Sequence, residues 1–503
     1  MGETVVLSIL DRPRILLVRH SFSNSEVFGL LCHVILINVE HHMLPHFVPQ
    51  QIFVELWANA ALKTLFSPKG EEMSALRRLR NFWIPWVAVI VLGCFSDAFA
   101  QQSYKITDLG INNSKDNFSM AMGLTNQGWT ENMDGTVNPP ENSLFTSVAR
   151  GRAVISNHGF NIDLGTLGKP DGNSWINWGG INGRGEAVGQ SETANPDPNG
   201  EDICGFGTHL TCVPFLWRDG HMSALPTLGG NNGQASAINN RGEAVGFAED
   251  GALDSTCPAG TTNNRIALPA LWERGNAEAL PLVGNDPDGF AFGINDRGQA
   301  VGYSGNCTVA THAVMWKDNA AFVLQDLGGA GSNFAYAISN RGQIVGQVGS
   351  ADNTTFYAGV WQNGADGAVT NLGVVPGDFA AFATGINERG QVVGNSFDSS
   401  FNWSHGFIWQ DGVMTDLNTL IPADSNLFII SASNINELGQ ISGMATVLSG
   451  PHAGDIHAYL LTPSDGRIGA SMADFARTHP HSILSANACN HYLQRLRPGR
   501  LAQ

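Results

Sequence analysis

Gly293-Ile294-Asn295-Asp296-Arg297-Gly298-Gln299-Ala300-Val301-Gly302 is the stretch whose reading decides the fold. It returns as Ile181–Gly189, Ile238–Gly246, Ile338–Gly346, Ile386–Gly394 and Ile435–Gly443, with a worn copy at Leu124–Asn132, so the chain carries seven copies. Each copy reads apolar-Asn, two polar residues, Gly, one polar residue, then a short β-branched run closing on Gly. An asparagine at that place accepts backbone N–H bonds at the head of a turn. A glycine three residues on takes the left-handed conformation that a type I turn with a G1 bulge requires. The unit is therefore a β-hairpin, and turn chemistry recurs too often for a three-turn helix to fit. Arg184, Arg241, Arg297, Arg341 and Arg389 share one repeat position. They read first as solvated turn residues, and second as a rim that meets anions.

Composition agrees with many short strands and tight turns: 59 glycines in 503 residues and only 14% charged residues. Charge is uneven. Residues 1–100 balance 8 basic against 8 acidic, residues 101–463 carry 14 basic and 34 acidic, and residues 464–503 carry 5 basic and 2 acidic. A body at −20 repels phosphates, which argues against nucleic acid as a partner. It suits extracellular or periplasmic surroundings.

The first 72 residues share nothing with the repeats and read as an over-extended start. Met73 then opens a secretory signal: Arg77, Arg78 and Arg80, an apolar run from Phe82 to Cys94, and Ala98-Phe99-Ala100 before Gln101. That order is the export pattern. An uncleaved anchor is the alternative, although the run is short for a span of about 20 residues; Val91-Leu92-Gly93-Cys94 leaves lipidation of Cys94 open. The domain expectation is thus 1–72 outside the natural protein, 73–100 signal peptide, 101–463 repeat body, and 464–503 a basic tail with scattered His479, His481, Cys489 and His491. The mature form is expected to be secreted or periplasmic, monomeric and without a membrane span.

A second element alternates with the hairpin. Its clear copies are Pro214–Gly220 and His405–Gly412, with others from Ala153, Pro269, His312, Tyr357 and His457. The first six are followed by a Leu-Gly-type strand at Ile162–Leu167, Ala224–Leu228, Ala279–Val283, Gln325–Gly328, Thr370–Gly373 and Thr415–Leu420. An unpartnered copy, Ile106–Gly110, stands at the front, and the last unit lacks one. Four strands per unit, seven units and interlocking ends predict an all-β chain: a seven-bladed β-propeller of four-stranded blades, closed by an N-terminal strand that completes the C-terminal blade. Blades cannot bury both faces alone, and closure removes exposed edges. The strand carrying Ser-x-Ala is expected innermost, because small residues suit a crowded axis.

Between Asp108 and Leu461 the sequence resembles the HAF repeat family, described as extracellular repeats. The matching residues are His312-Ala313-Val314-Met315-Trp316, His405-Gly406-Phe407-Ile408-Trp409, the Asp-Leu-Gly strands and the Ile-Asn-x-x-Gly hairpins. Pro214, Pro269 and Tyr357 depart from it at the His position. The resemblance implies export and a repeat scaffold, and it supplies no catalytic residues.

Recurring Trp217, Trp272, Trp316, Trp361 and Trp409 most simply fill space between blades. His312, His405 and His457 read as donors tying a strand to a loop; a metal ring does not fit, since other units put Pro or Tyr there. Insertions at 190–213, 247–268, 303–311, 349–356, 395–404 and 444–456 all follow the Val-Val-Gly strand, and so emerge on one face, where such scaffolds carry recognition. They hold Cys204, Cys212, Cys257 and Cys307, for which disulfides Cys204–Cys212 and Cys257–Cys307 are expected in an exported chain. Zinc binding by the four would call for a CxxC spacing they lack. Asp197, Asn199 and Asp202 in one loop, and Asp286 and Asp288 in another, alternate oxygen ligands as calcium prefers, although neither loop completes the calcium pattern. No other cofactor is expected. The chain has no Gly-x-Ser-x-Gly, HExxH or phosphate loop. The function expected is a binding or scaffolding module for an extracellular polysaccharide or protein, without catalysis. The alternative is a polysaccharide-degrading hydrolase or lyase using carboxylates in a central depression, and a third reading is a mechanical or adhesive array.

Overall fold

The computed structural model describes residues 5–7, 15–17, 103–111, 116, 118–138, 147–157, 160–307, 309–400 and 403–464. The chain divides into two compact units, Met1–Ala100 and Gln101–Gln503. In the first, β1 (Val5–Leu7) pairs antiparallel with β2 (Ile15–Leu17). The expected signal segment 73–100, and the expected tail beyond residue 464, lie outside the described residues. Among the described residues no helix is long and apolar enough to cross a membrane.

The second unit is all-β. It begins with β3 (Tyr104–Gly110), followed by β4 (Phe118–Leu124), β5 (Thr130–Asn138), β6 (Ser147–Asn157) and β7 (Phe160–Asp163). Five four-stranded antiparallel sheets come next. The first is β8 (Ser174–Ile181), β9 (Ala187–Pro196), β10 (Leu210–Arg218) and β11 (His221–Ala224). Then come β12 (Gly233–Ile238), β13 (Ala244–Leu253), β14 (Arg265–Glu273) and β15 (Asn276–Ala279). The third is β16 (Asp288–Ile294), β17 (Ala300–Asn306), β18 (Val309–Lys317) and β19 (Ala320–Val323). The fourth is β20 (Phe334–Ile338), β21 (Ile344–Gly349), β22 (Phe356–Trp361) and β23 (Val369–Gly373), and the fifth is β24 (Ala380–Ile386), β25 (Val392–Phe397), β26 (Trp403–Gln410) and β27 (Val413–Asp416). Last come β28 (Leu427–Ile435), β29 (Ile441–Val447) and β30 (Ile456–Pro463). On its free side β30 takes β3 as an antiparallel partner, Tyr104 opposite Pro463 and Ile106 opposite Leu461. A single parallel bridge, Ile456 to Phe118, joins this group to β4–β7.

The hairpins form as their residues require. Asn295 Oδ1 accepts from Arg297 N and Gln299 N, both at 3.0 Å, and Gly298 sits at φ +76°. Asn182, Asn239, Asn387 and Asn436 repeat the pattern. Six of the hairpins then reach the next, through two series of bonds that both break, among the described residues, between the Asn126 hairpin and the Gly183 one. The amide of Asn239 donates to Asn295 O, that of Asn387 to Asn436 O, and that of Asn436 to Thr125 O, each at 3.0 Å. A parallel series runs through the following residue: Gly183 N to Asn240, Asn240 N to Asp296, Asp296 N to Asn340, Asn340 N to Glu388, Glu388 N to Glu437, and Glu437 N to Asn126.

Two expectations shift. The Leu-Gly segments are mostly connectors: the fourth strands end at Asp163, Ala224, Ala279, Val323 and Asp416, just as the motif begins. Leu164 is buried as the chain leaves its sheet, and Gly165 and Gly328 at φ +81° and +90° turn the chain away. The second concerns the small residues. Along a strand, side chains alternate between faces. Ala235, Ala291, Ala335 and Ala432 pack into the layers between neighbouring sheets. The opposite faces of the first strands send Met122, Tyr336, Phe382 and Ile430, with Phe292 alongside, into one shared apolar cluster. Phe292 and Tyr336 stand 5.0 Å apart between ring centres, Tyr336 and Phe382 5.5 Å. Among the described residues, the cluster where first strands meet holds rings and aliphatic side chains and no carboxylate.

Candidate active site under the insertions

Because neighbouring strands are antiparallel, each second strand ends where its first strand begins. Glu192 on β9 thereby meets Asn173 before β8, and Glu249 on β13 meets Asn232 before β12. Both asparagines do the same two things. Their carbonyl oxygen accepts from a third strand, Gly151 N to Asn173 at 3.0 Å and Cys212 N to Asn232 at 2.9 Å. Their amide donates to the glutamate, Asn173 to Glu192 at 2.8 Å and Asn232 to Glu249 at 3.2 Å.

At Asn232 the arrangement grows. Its amide also lies 2.9 Å from Asp197 Oδ2 and 3.4 Å from Glu201 Oε2, so three carboxylates converge on one nitrogen. Glu249 and Glu201 are almost wholly buried, at 1% and 0% exposure. Burial pushes the Glu249 carboxyl up to about 7, helped by the nearby Glu201. Burial raises Glu201 as well, against the Asn264 N–H that holds it down. The roof is shared between two insertions: Arg265 donates to Asn199 at 2.9 Å, and Asp202 N to Asn263 at 2.9 Å. Paired carboxyls with one held protonated near neutrality are equipped for general acid and base work.

Of the calcium candidates, Asp197 Oδ1 accepts from Asn199 N and Glu201 N as an Asx turn. Asp202 Oδ2 accepts from Gly207 N. Asp286 Oδ2 lies 2.9 Å from His312 Nδ1 and accepts from Ser304 Oγ at 2.7 Å. Asp288 accepts from Ala267 N at 2.8 Å and is hydrogen-bonded to Asp254; burial and that partner push it up to about 8. The structure brings Asp197 and Asn199 to the Asn232 cluster and leaves Asp286 and Asp288 in the next sheet.

Both disulfides form, Cys204–Cys212 and Cys257–Cys307, with Cα separations of 5.4 and 5.0 Å. They belong to a chain kept in an oxidising compartment. The recurring tryptophans are buried fillers: the indoles of Trp272, Trp316 and Trp361 donate to Pro226 O, Pro281 O and Gln325 O. His405 and His457 meet Asp378 and Asp108 at 3.0 Å, each tying a strand to a neighbouring segment. Arg184 and Arg241 pair with Glu186 and Glu243, and Arg341 faces Glu388.

Glu201, Asn232 and Glu249 were not singled out from sequence. The signal was there: Glu192 and Glu249 each follow a Val-Gly by three residues, a polar repeat inside an insertion that otherwise varies. What sequence could not supply was the side-chain direction that brings Glu201 onto the same amide.

No family model matches the chain, and no curated protein does. Several solved structures are similar to it. A gluconolactonase of Xanthomonas campestris is 10% identical at a TM-score of 0.32, with 72% of this chain and 90% of that one covered. An α-L-arabinanase of Penicillium chrysogenum, complexed with arabinobiose, is 8% identical at 0.30, covering 72% and 98%. An acylaminoacyl peptidase of Pyrococcus horikoshii is 13% identical at 0.32, covering 66% and 58%. Similarity at this level assigns no residue a role. The expectation of a non-catalytic binding or scaffolding module is nevertheless corrected, since the gluconolactonase and the arabinanase among these structures are enzymes.

Proposed function

We propose that the repeat body is an exported seven-bladed β-propeller of HAF-type repeats that cleaves polysaccharide hydrolytically, with Glu249 as general acid and Glu201 as its partner carboxylate. The propeller reading is supported by the order of contacts between first strands. β4 meets β8, β8 meets β12, and the series continues through β16, β20, β24 and β28 back to β4. The Asn436 and Glu437 hydrogen bonds to Thr125 and Asn126 add a link between the last hairpin and the first.

One observation carries the catalytic reading: Glu249 and Glu201 sit on a single amide nitrogen while Glu249 keeps its proton to about pH 7. Hydrogen bonds of 3.4 and 3.2 Å to one nitrogen cap the distance between the two carboxyl oxygens at a range that includes the separation of about 5 Å used by retaining hydrolases. Glu249 would give its proton to the leaving-group oxygen. Glu201, held by Asn264 N and Asn232, would attack the sugar carbon in its carboxylate form, and water would then release the product. The contacts of Asp202 and Arg265 with the next insertion must open to admit a chain.

The second reading is that the pair is a structural tie, favoured by the repetition of the same Asn–Glu contact at Asn173 and Glu192. Reducing-end release from neutral and acidic polysaccharides by the full chain separates the two. The hydrolase reading expects product. It also expects losses of at least about 100-fold in Glu249→Gln and Glu201→Gln at unchanged circular dichroism, and a rate that falls above about pH 7 as Glu249 ionises. Absent product, or wild-type rates in both variants, would leave the structural tie.

A further inference from the structure

A separate group of side chains lies between the insertions that follow β13 and β17. Asp254, Cys257 and Cys307 each offer one ligand atom, and the three atoms lie within 4.8 Å of one another. Asp254 is buried and pre-oriented: Thr256 N and Thr256 Oγ1 both reach Asp254 Oδ1 at 2.7 Å. Thr256 Oγ1 in turn accepts from Cys307 N at 3.1 Å, so one hydroxyl ties the carboxylate to the second cysteine's backbone. Cys257 Sγ sits 3.5 Å from Asp254 Oδ2. On the far side Asp288 is hydrogen-bonded to Asp254.

In the oxidised protein the two sulfurs are bonded to each other and offer no thiolate. Two electrons and two protons change that. A phosphine reductant with water converts the disulfide to two thiols and leaves as phosphine oxide. The two sulfurs and the carboxylate then form a three-ligand set of the kind that zinc accepts with a fourth position open. We propose that the reduced chain binds one zinc ion through Cys257, Cys307 and Asp254. Metal and disulfide are then alternative fasteners of the same two insertions, zinc entering as the two thiols lose their protons. The hydrogen-bonded Thr256 acts as the outer support that fixes a ligating carboxylate. This inference is independent of the Glu201–Glu249 pair.

The test uses the full chain with Cys32, Cys94 and Cys489 replaced by serine, reduced by a phosphine, and titrated with zinc against a chromophoric chelator. Thiol alkylation with mass-spectrometric readout gives the local view. One zinc per chain is expected after reduction and none before it. Cobalt(II) should give thiolate charge-transfer absorption, and zinc should protect Cys257 and Cys307 from alkylation while Cys204 and Cys212 react. Asp254→Asn should lower the zinc affinity at least tenfold at an unchanged thiol count. Cys204→Ser with Cys212→Ser should leave it as it was. The proposal is overturned if the oxidised chain binds zinc equally, if Asp254→Asn binds as tightly as the parent, or if zinc protects all four cysteines or none. A reduced chain that unfolds gives the last of these patterns and counts against it.

Discussion

Glu131 occupies the position that Val188, Val245, Val301, Val345 and Val393 hold in five other hairpins and Ser442 in the sixth. It is wholly buried, and burial raises its pKa well above the ordinary range against the Gly180 N–H that holds it down. Gly123 and Gly180 make room for it; a Cβ on either would lie within 2.4 Å of its carboxyl oxygens. An acid with a raised folded-state pKa contributes stability below its unfolded pKa and loses it as pH rises towards the folded value. Glu131→Val restores the residue of five other copies and removes a buried carboxyl, so it should stabilise by about 1–3 kcal/mol. The gain should be larger at pH 8 than at pH 5, read from urea midpoints; a lowered midpoint at both would refute the account. Asp288 follows the same logic with a partner. It stands where Asn173 and Asn232 stand in two other sheets, and a protonated aspartate can accept from Ala267 N and donate to Asp254 as an asparagine would. Its folded value of about 8 places the loss of stability between the ordinary aspartate range and pH 8. Asp288→Asn should therefore flatten the fall in melting temperature between pH 5 and 8. Asp254, held low by Asp288 itself and then by Thr256 and Cys307 N, titrates only in more acid solution, and an asparagine at 288 keeps a donor on it.

At the scale of the hairpin, one asparagine serves four bonds. Asn387 accepts from Arg389 N and Gln391 N and donates to Gln391 Oε1 and Asn436 O. Asn387→Ala removes all four and should cost about 1–2 kcal/mol, as loss of a cap does. The fifth hairpin copy, with Ser339 at this place, offers the reverse experiment. Ser339→Asn can extend an amide towards Asn387 O, and an upward shift of the urea midpoint is the expected outcome. A shift of neither variant would mean that the cross-hairpin bonds are not what positions these turns. These hairpins were legible because turn chemistry is local: Asn295 and Gly298 act on residues two to four positions away. The two disulfides were legible because their cysteines lie in the same or equivalent insertions. The Leu-Gly segments were misjudged because a buried leucine followed by a glycine looks the same at the end of a strand as just beyond it. The carboxylate convergence stayed hidden, since Glu201 and Asn232 are far apart in sequence and meet only through packing. Even the break in the second hydrogen-bond series has a local cause. A bond from the Asn126 hairpin onward would need a side-chain acceptor at residue 183, and that residue is glycine.

For the body as a whole, the decisive contact joins its two ends. β3 lies along β30, Tyr104 is buried with Tyr459, Leu461 and Ile429, and Asp108 sits 3.0 Å from His457. Ala458 N donates to Ser119 Oγ, and Ser119 Oγ donates to Gly110 O, so the start of β4 locks both strands. Closing a loop of this length costs little more than closing one half as long, because the entropy grows only logarithmically. The contact is therefore cheap to keep once made, yet slow to find, and its loss bares the edge of β30. Tyr104→Ala removes the largest buried group of the strand and should lower stability by about 3–5 kcal/mol. If β3 fastens the whole body, the single urea transition should move as one, with circular dichroism and tryptophan fluorescence still coincident. If it serves only the last strands, the two probes should separate, because Trp272, Trp316 and Trp361 lie in sheets distant from β30 and would report a later step. Coincidence in the parent and separation in Tyr104→Ala would show that the end-to-end strand is what makes the repeats unfold together.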